Sequence, residues 1–374
     1  MIIEHDIVVV GGGPIGLLFS LMYSKSNKYI VIIDTLSINE NDGRIIALSY
    51  SSINILKKLN LWDESKATYI DKIHISHSGL GVSKILKDDL DIEHLGCTIK
   101  YYDLYLTLFN RVKGISNIKI INAEVTDVKS FTEHSLVKYS LNNENFSIKS
   151  NLTVIADGGK LRIDNFLYKE YDYKHEAIIT EIYTNNYHEN IAYERFDKNG
   201  TFVLLPYDNK YTLIWSRKNQ LNKNFDVETL LDDNFFKRFG NFSLSSKVYK
   251  FPLKYRIAKN KVSNKIVLIG NAAQTINPIS AQGMNLAFRD ANDLNNVLIS
   301  NKGFDLYINK RAVDTKFITN FTHFLARFLY SDIFLKKNII TLGLISISNL
   351  KFMQNKLFKY LIFGIIENYH DKKI

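Results

Sequence analysis

Apolar runs without polar alternation mark the first part of the chain. "DIVVV" (6–10) and "YIVII" (29–33) each read as a strand buried on both faces, the pattern of a parallel sheet covered on either side. Between them "PIGLLFSLMYSKS" (14–26) reads as a helix, with Pro14 tolerated in its first turn. Strand, helix and strand close a right-handed unit of about thirty residues. "IKIINAEVTDV" (118–128) and "SNLTVIADGG" (150–159) add strands, and "NKIVLIGNAA" (264–273) repeats the run-then-turn pattern much later.

Between Tyr171 and Leu253 the pattern changes. "EAIITEIY", "IAYERF", "TFVLLP", "YTLIW" and "KVYKFPL" are short and rich in β-branched and aromatic residues, and "DKNG" (197–200) is a hairpin signal between two of them. This predicts an antiparallel sheet inserted into an α/β domain. After Asn285 the pattern is helical to the end. The expected fold class is α/β, a Rossmann-like domain with an inserted antiparallel sheet and C-terminal helices. Its expected division is 1–71, 101–165 and 263–300 for the discontinuous α/β domain, 72–100 and 166–262 for the inserted sheet, and 301–374 for the helical region.

Composition adds exclusions. With 374 residues, 46% of them hydrophobic, the chain exceeds one domain by the usual prior and buries a large core. Cys97 is the single cysteine, so neither an internal disulfide nor a thiolate-rich metal site can be built; no metal is expected, and a reducing cytoplasm fits. The N-terminus lacks the basic start and unbroken apolar stretch of a secretory signal. The net charge of +10 favours anionic partners, but it is dispersed in Lys- and Asn-rich loops, and no nucleic-acid partner is expected. No apolar segment reaches the roughly 18 residues of a spanning helix. "IITLGLISISNL" (339–350) and "LFKYLIFGII" (357–366) form an apolar, Lys-punctuated tail with two readings, buried helices or peripheral attachment to a bilayer.

Four motifs carry chemistry. In "GGGPIG", Gly11 permits a tight turn, Gly13 lets backbone approach a pyrophosphate, and Gly16 lets helix pack on strand. Pro14 and Ile15 open that helix, whose free N–H groups and dipole favour an anion. Asp34, ending the second strand, suits ribose hydroxyls, so an adenine dinucleotide is expected. In "DGRIIALS" (42–49), Arg44 is either a fork onto the pyrophosphate or an exposed loop charge. "VIADGG" (154–159) delivers Asp157 and Gly158 to a turn that closes over a cofactor, or is simply a strand exit. The last is "IGNAAQTINPISAQGMNLAFRD" (269–290), a second strand-to-helix junction. There Asn271 can bond a ribityl or phosphate oxygen. The N–H groups of Gly283, Met284 and Asn285 leave the helix start and suit the anion of a reduced flavin, for which nicotinamide has no use. One end of a long cofactor then lies at "GGGPIG" and the other at "NPISAQGMN".

In this order these motifs resemble the FAD-dependent aromatic hydroxylases, the para-hydroxybenzoate hydroxylase-like monooxygenases. "NDGRIIAL" (41–48), "IHISHSGLG" (73–81) and the pair Asn271 and Gln274 are similar to the ubiquinone-biosynthesis branch. The resemblance implies that Gly11, Gly13, Gly16 and Asp34 hold the ADP half of FAD, that Arg44 reaches the pyrophosphate, and that the backbone around Val125 lies near the adenine. It further implies that Asp157 and Gly158 serve FAD and NADPH, that Asn271 replaces the ribityl-binding acid, and that Pro278, Gln282, Gly283, Met284 and Asn285 line the isoalloxazine.

The implied activity is hydroxylation of a polyprenylated phenol through a flavin C4a-hydroperoxide, with O₂ and electrons from NADPH or another external donor. The aromatic and aliphatic residues of "TFVLLP" and "YTLIW" would roof the ring, or serve as ordinary core. A cytoplasmic protein peripheral to the inner membrane, associated with other quinone-biosynthesis proteins, is implied with it. There are departures. Leu161 and Asp164 occupy positions where the pattern has Ser and Arg, Ser280 and Ala281 replace Ala-Gly, and the Arg and Gln that many relatives place near the flavin are missing around Tyr102 to Thr107. No acid–base residue carries over. The competing expectations are a flavoprotein dehydrogenase or reductase without oxygen insertion, and a non-catalytic isoprenoid-binding protein on the flavin fold.

Overall fold

The computed structural model describes residues 3–38, 40, 42–77, 81–197, 200–218, 239–240, 242–244, 248–331 and 336–364. In chain order the first half comprises β1 (Ile3–Val10), α1 (Pro14–Tyr23), β2 (Ile30–Asp34), β3 (Ile45–Ser49), α2 (Tyr50–Lys58), β4 (Ala67–Ile70), β5 (Lys72–His77), β6 (Gly81–Leu86), β7 (Gly96–Lys100), α3 (Tyr101–Lys113), β8 (Ile118–Asn122), β9 (Glu124–Ser130), β10 (Ser135–Leu141) and β11 (Glu144–Ile155). There follow β12 (Tyr168–Thr184), β13 (Ile191–Asp197), β14 (Gly200–Tyr207), β15 (Lys210–Lys218), β16 (Phe242–Leu244), β17 (Tyr249–Ala258), β18 (Val262–Ser263), β19 (Ile266–Leu268) and β20 (Gln274–Thr275). Four helices follow among the described residues: α4 (Gln282–Ile299), α5 (Phe304–Tyr330), α6 (Lys336–Asn349) and α7 (Lys351–Phe363).

The α/β half is three layers deep. β8, β2, β1, β11 and β19 lie side by side and parallel. Val8, Val9 and Val10 are almost wholly buried because both faces of β1 are covered, which explains its unalternating apolar run. Val9 faces the layer of α1, α3 and α4, where it joins Leu17, Leu108 and Phe288. Val8 and Val10 face the antiparallel meander β9–β10–β11, joining Val128, Val137 and Ile148. Each such side chain contributes roughly 1.5–3 kcal/mol by leaving water.

The second sheet runs β20-β17-β12-β15-β14-β13-β5-β6. It is antiparallel except where β13 pairs β5 in parallel, so the β5–β6 hairpin extends the inserted sheet at one side. A third small sheet, β3-β7-β4, holds residues 96–100 against the α/β half, and β20 joins the second sheet through β17. The two turn residues of "DKNG", residues 198 and 199, lie outside the described residues, but Asp197 and Gly200 pair across the hairpin. Residues 78–80 of "IHISHSGLG" and the chain beyond residue 364 also lie outside them.

The second sheet has two different faces. Phe202, Leu204, Leu213 and Trp215 form a core of their own with Tyr211 and Phe239. Val203, Leu205 and Ile214 point the other way, toward Leu286 of α4 and Ile318 of α5. Alternation along a strand thus splits the two stretches "TFVLLP" and "YTLIW", and only the second set faces the α/β half.

Candidate cofactor and substrate site

Because β1, β2, β11 and β19 are parallel, their C-terminal ends open on one edge, and each delivers one motif there: Gly11, Asp34, Asp157 and Asn271. In open α/β sheets this edge is where ligands bind. Backbone bonds stitch it together, Gly11 N–H to Ile33 O at 2.9 Å, Ala156 N–H to Val10 O at 2.8 Å and Ile269 N–H to Ile155 O at 3.0 Å.

At the first junction Gly11 has φ +109°, and a Cβ there would lie 2.4 Å from Ala156 O. A Cβ on Gly16 would lie 2.0 Å from Gly11 O. Neither position admits another residue. Gly13 is the N-cap of α1 and Pro14 follows; no side chain caps the helix and its first turn holds no acid. Asp34 holds the loop, its Oδ2 accepting from Gly12 N–H at 2.8 Å and its Oδ1 from Leu36 N–H at 2.6 Å. Each oxygen keeps a lone pair for a ribose hydroxyl. Ala123 N–H donates to Asp34 O at 3.1 Å, which brings Val125 of β9 to the same corner.

Arg44 is neither free nor simply exposed. Its Nε donates to Asp42 Oδ1 at 2.7 Å, a second bond runs from Nη2 to Asp42 Oδ2, and the guanidinium sits 4.0 Å from the centre of the Tyr101 ring. The Tyr101 hydroxyl in turn lies 3.5 Å from where a Cβ on Gly13 would be. Tyr101 therefore joins Arg44 to the glycine turn. The sequence reading missed it; its one signal was an aromatic residue at a strand-to-helix junction.

At the third motif both Asp157 oxygens accept backbone N–H groups, from Gly159 at 2.8 Å and Leu161 at 2.6 Å. Asp157 shapes the turn, and Gly158 (φ +77°) has nothing within 4 Å of its missing Cβ. A Cβ on Gly159 would lie 2.8 Å from Asn271 O, so this turn meets the second junction, where the Asn271 side chain is exposed. Arg256 Nη1 donates to Gly159 O at 2.6 Å, while Arg162 leaves the turn and pairs with Glu170 at 2.6 Å.

The second junction rests on a buried charge network. Asp290, fully buried, accepts from Gly270 N–H at 3.2 Å, from the Gln274 amide, from Lys261 Nζ at 2.9 Å and from Arg311 Nε at 2.7 Å. Burial pushes its carboxyl up, but Lys261 and Arg311 outweigh this and hold it at about 2. Beyond Pro278, Ser280 (φ 64°) and Ala281 (φ 49°) both adopt the left-handed conformation that the missing glycine would have taken freely. α4 then begins without a side-chain cap or an acid in its first turn. Gln282 Nε2 donates to Ser280 O at 3.0 Å, and its buried Oε1 has no partner among the described residues. Gly283 faces open space, and Met284 is half-buried against the helical core. The Asn285 side chain points into the fold, its Oδ1 accepting from Ser49 N–H and Ser52 Oγ–H, both at 2.8 Å, which leaves its backbone to the helix start.

Sequence reasoning also missed Glu194. It sits on β13, on the face turned to the α/β half, and accepts from Ser280 N–H at 3.4 Å. Burial pushes its carboxyl up to about 7, against the pull of that N–H.

Two neighbouring uncapped helix starts on one edge, glycines open at 158 and 283, and an orphaned buried oxygen on Gln282 fit a long cofactor with an anionic middle. Among the described residues no cluster of metal-ligating side chains occurs.

The model of the FAD binding domain family matches residues 4–302. The chain belongs to this family. FAD is its cofactor, and the chain is an FAD-dependent monooxygenase of the aromatic-hydroxylase group that its motifs resemble. Curated relatives are the ubiquinone hydroxylase UbiM of Neisseria meningitidis, 26% identical over 80% of this chain and 69% of that protein, and the 3-demethoxyubiquinol 3-hydroxylase of Escherichia coli, 23% identical over 80% and 81%. Among solved structures, the p-nitrophenol 4-monooxygenase PnpA of Pseudomonas putida aligns with 98% of this chain and 100% of its own at a TM-score of 0.83 and 15% identity, which shows the common fold.

Proposed function

We propose that the chain hydroxylates the aromatic ring of a polyprenylated phenol in ubiquinone biosynthesis, most like a 2-polyprenyl-6-methoxyphenol hydroxylase, with electrons from NADPH or another external donor. One observation carries this reading. The aliphatic face of the second sheet, Ile75, Val203 and Ile214 among its residues, lies over the loop that leads into α4. An aliphatic cover over a flavin-binding loop keeps water away, which is what a ring needs there if activated oxygen is to reach it before decaying.

Bound FAD supplies the electrons and the activated oxygen. The protein's part is to bind and orient. Gly13, the α1 start and Arg44 with Tyr101 take the pyrophosphate, Asp34 and the backbone near Val125 the adenosine, and Asn271 with the turn of Asp157 and Gly158 the ribityl chain. Pro278, Gln282, Gly283, Met284 and the Asn285 backbone take the ring, where free N–H groups stabilise negative charge on reduced flavin.

Collection of a long-tailed substrate from an anionic bilayer accounts for the C-terminal surface. Leu342 of α6 and Phe352 and Met353 of α7 are exposed, with Lys351 and Lys356 beside them. Among the described residues no helix is long and apolar enough to cross a membrane. The reading is therefore of a cytoplasmic protein at the membrane surface, working beside other quinone-biosynthesis proteins. Photoreduction of the flavin, followed by air and a short-tailed 6-methoxyphenol, tests the activity: a product heavier by one oxygen supports it, and hydrogen peroxide without product favours a dehydrogenase.

A further inference from the structure

Glu194 stands out as a carboxyl placed where the fold offers it almost nothing. On the same face of β13 lies Ala192; Ile75 of β5 and Val203 of β14 flank it in register; Leu286 and Phe317 close the same apolar layer from α4 and α5. None of these side chains titrates. Among the described residues its one hydrogen bond is the long one from Ser280 N–H, at 3.4 Å. A carboxylate can accept about four hydrogen bonds, and a buried one that accepts a single weak bond is poorly compensated. Its position supplies the missing partner. Ser280 belongs to the loop before α4, so the carboxyl lies between the aliphatic roof and the flavin-binding loop, where a substrate ring would enter.

We propose that Glu194 is a catalytic residue that receives the phenolic proton of the substrate. This rests on the hydroxylase reading. In the step, the phenol O–H bond breaks and its electron pair stays on oxygen as phenolate, while the proton forms an O–H bond on Glu194. The phenolate ring is richer in electrons at the positions ortho and para to oxygen, where an electrophilic oxygen attacks. The same proton returns to the product phenolate, so the residue ends as it began. The geometry is supported by the acidity: burial raises the carboxyl to about 7, and the Ser280 N–H is the sole opposing influence. A general base is most effective when its acidity lies near working pH. The groups that frame Glu194 carry no charge, so the titration belongs to Glu194 itself.

The test uses oxidised holoenzyme and two probes, 2-allyl-6-methoxyphenol and its O-methyl ether, with binding followed by perturbation of the flavin spectrum. The wild type is expected to prefer the phenol to the ether by roughly ten- to a hundredfold, the worth of one charge-assisted hydrogen bond. That preference should grow as pH rises through about 7, as the carboxylate forms. Glu194→Gln should keep its flavin and its affinity for the ether but lose both the preference and the pH step. Retention of both by Glu194→Gln would overturn the proposal. So would a wild type whose phenol-to-ether ratio is flat between pH 5.5 and 8.5, a result that does not depend on any variant folding. If neither probe perturbs the wild-type flavin, the hydroxylase reading fails and takes the proposal with it.

Discussion

A Cβ placed on Gly270 would lie 3.5 Å from Cγ2 of Ile15, so the residue that opens the late junction packs on the first turn of the helix that opens the early one. This contact ties together the two helix starts proposed to hold the cofactor.

Gly270→Val tests that contact. At φ +61° and 3.3 Å from the Ala287 Cβ, a β-branched side chain is strained and overpacked, at a cost of roughly 2–4 kcal/mol. Urea unfolding should show that loss, and dialysis should strip flavin from the variant faster than from the wild type. Unchanged midpoint and retention would mean that the junctions are not held together here.

Ala281→Gly works in the opposite direction. Ala281 is held at φ 49°, and glycine adopts that conformation without the Cβ penalty of roughly 1 kcal/mol. The urea midpoint should rise. A fall would show that the entropy glycine adds to the unfolded chain outweighs the strain.

Asp290→Asn should be far more damaging, because it leaves Lys261 and Arg311 buried beside a neutral amide. A loss of about 3 kcal/mol or more at neutral pH is expected. The acid limb gives an independent readout. A carboxyl held at about 2 when folded, against 3.8 ordinarily, contributes stability that is complete above the ordinary value and is lost as pH falls through the folded one. The wild type should therefore lose stability between those values, and in the variant this share of the loss should disappear.

Much of the candidate site's local geometry was legible in the sequence because its requirements are local. Gly11, Gly16 and Asp34 are dictated by one turn and the strand beside it, and Ala281 announced its strain by standing where glycine is usual. What escaped depends on distant partners. Glu194 meets its hydrogen-bond donor in a loop 86 residues downstream. "IAYERF" by itself does not say which face is covered. Asp290 sits in a helix of ordinary apolar spacing, and its role appears only when Arg311 arrives from α5. The β5–β6 hairpin gave no sign that it would pair with β13 in parallel.

The exposed apolar C-terminal face gives a membrane prediction. Replacing Leu342 and Phe352, which are 62% and 79% exposed, by Ser should weaken binding to anionic phospholipid vesicles by roughly tenfold or more without altering the flavin spectrum. Binding should also fall with added salt. Equal sedimentation of variant and wild type with the vesicles would exclude this face as the contact.

The most direct measurement combines a visible spectrum of the purified protein with one turnover: anaerobic photoreduction, then air and 2-allyl-6-methoxyphenol, then mass analysis. Flavin bands and a product heavier by one oxygen are the predicted result. A protein without flavin that cannot rebind FAD would contradict the two-junction site, and flavin that reoxidises to hydrogen peroxide while the phenol is recovered unchanged would contradict the hydroxylase.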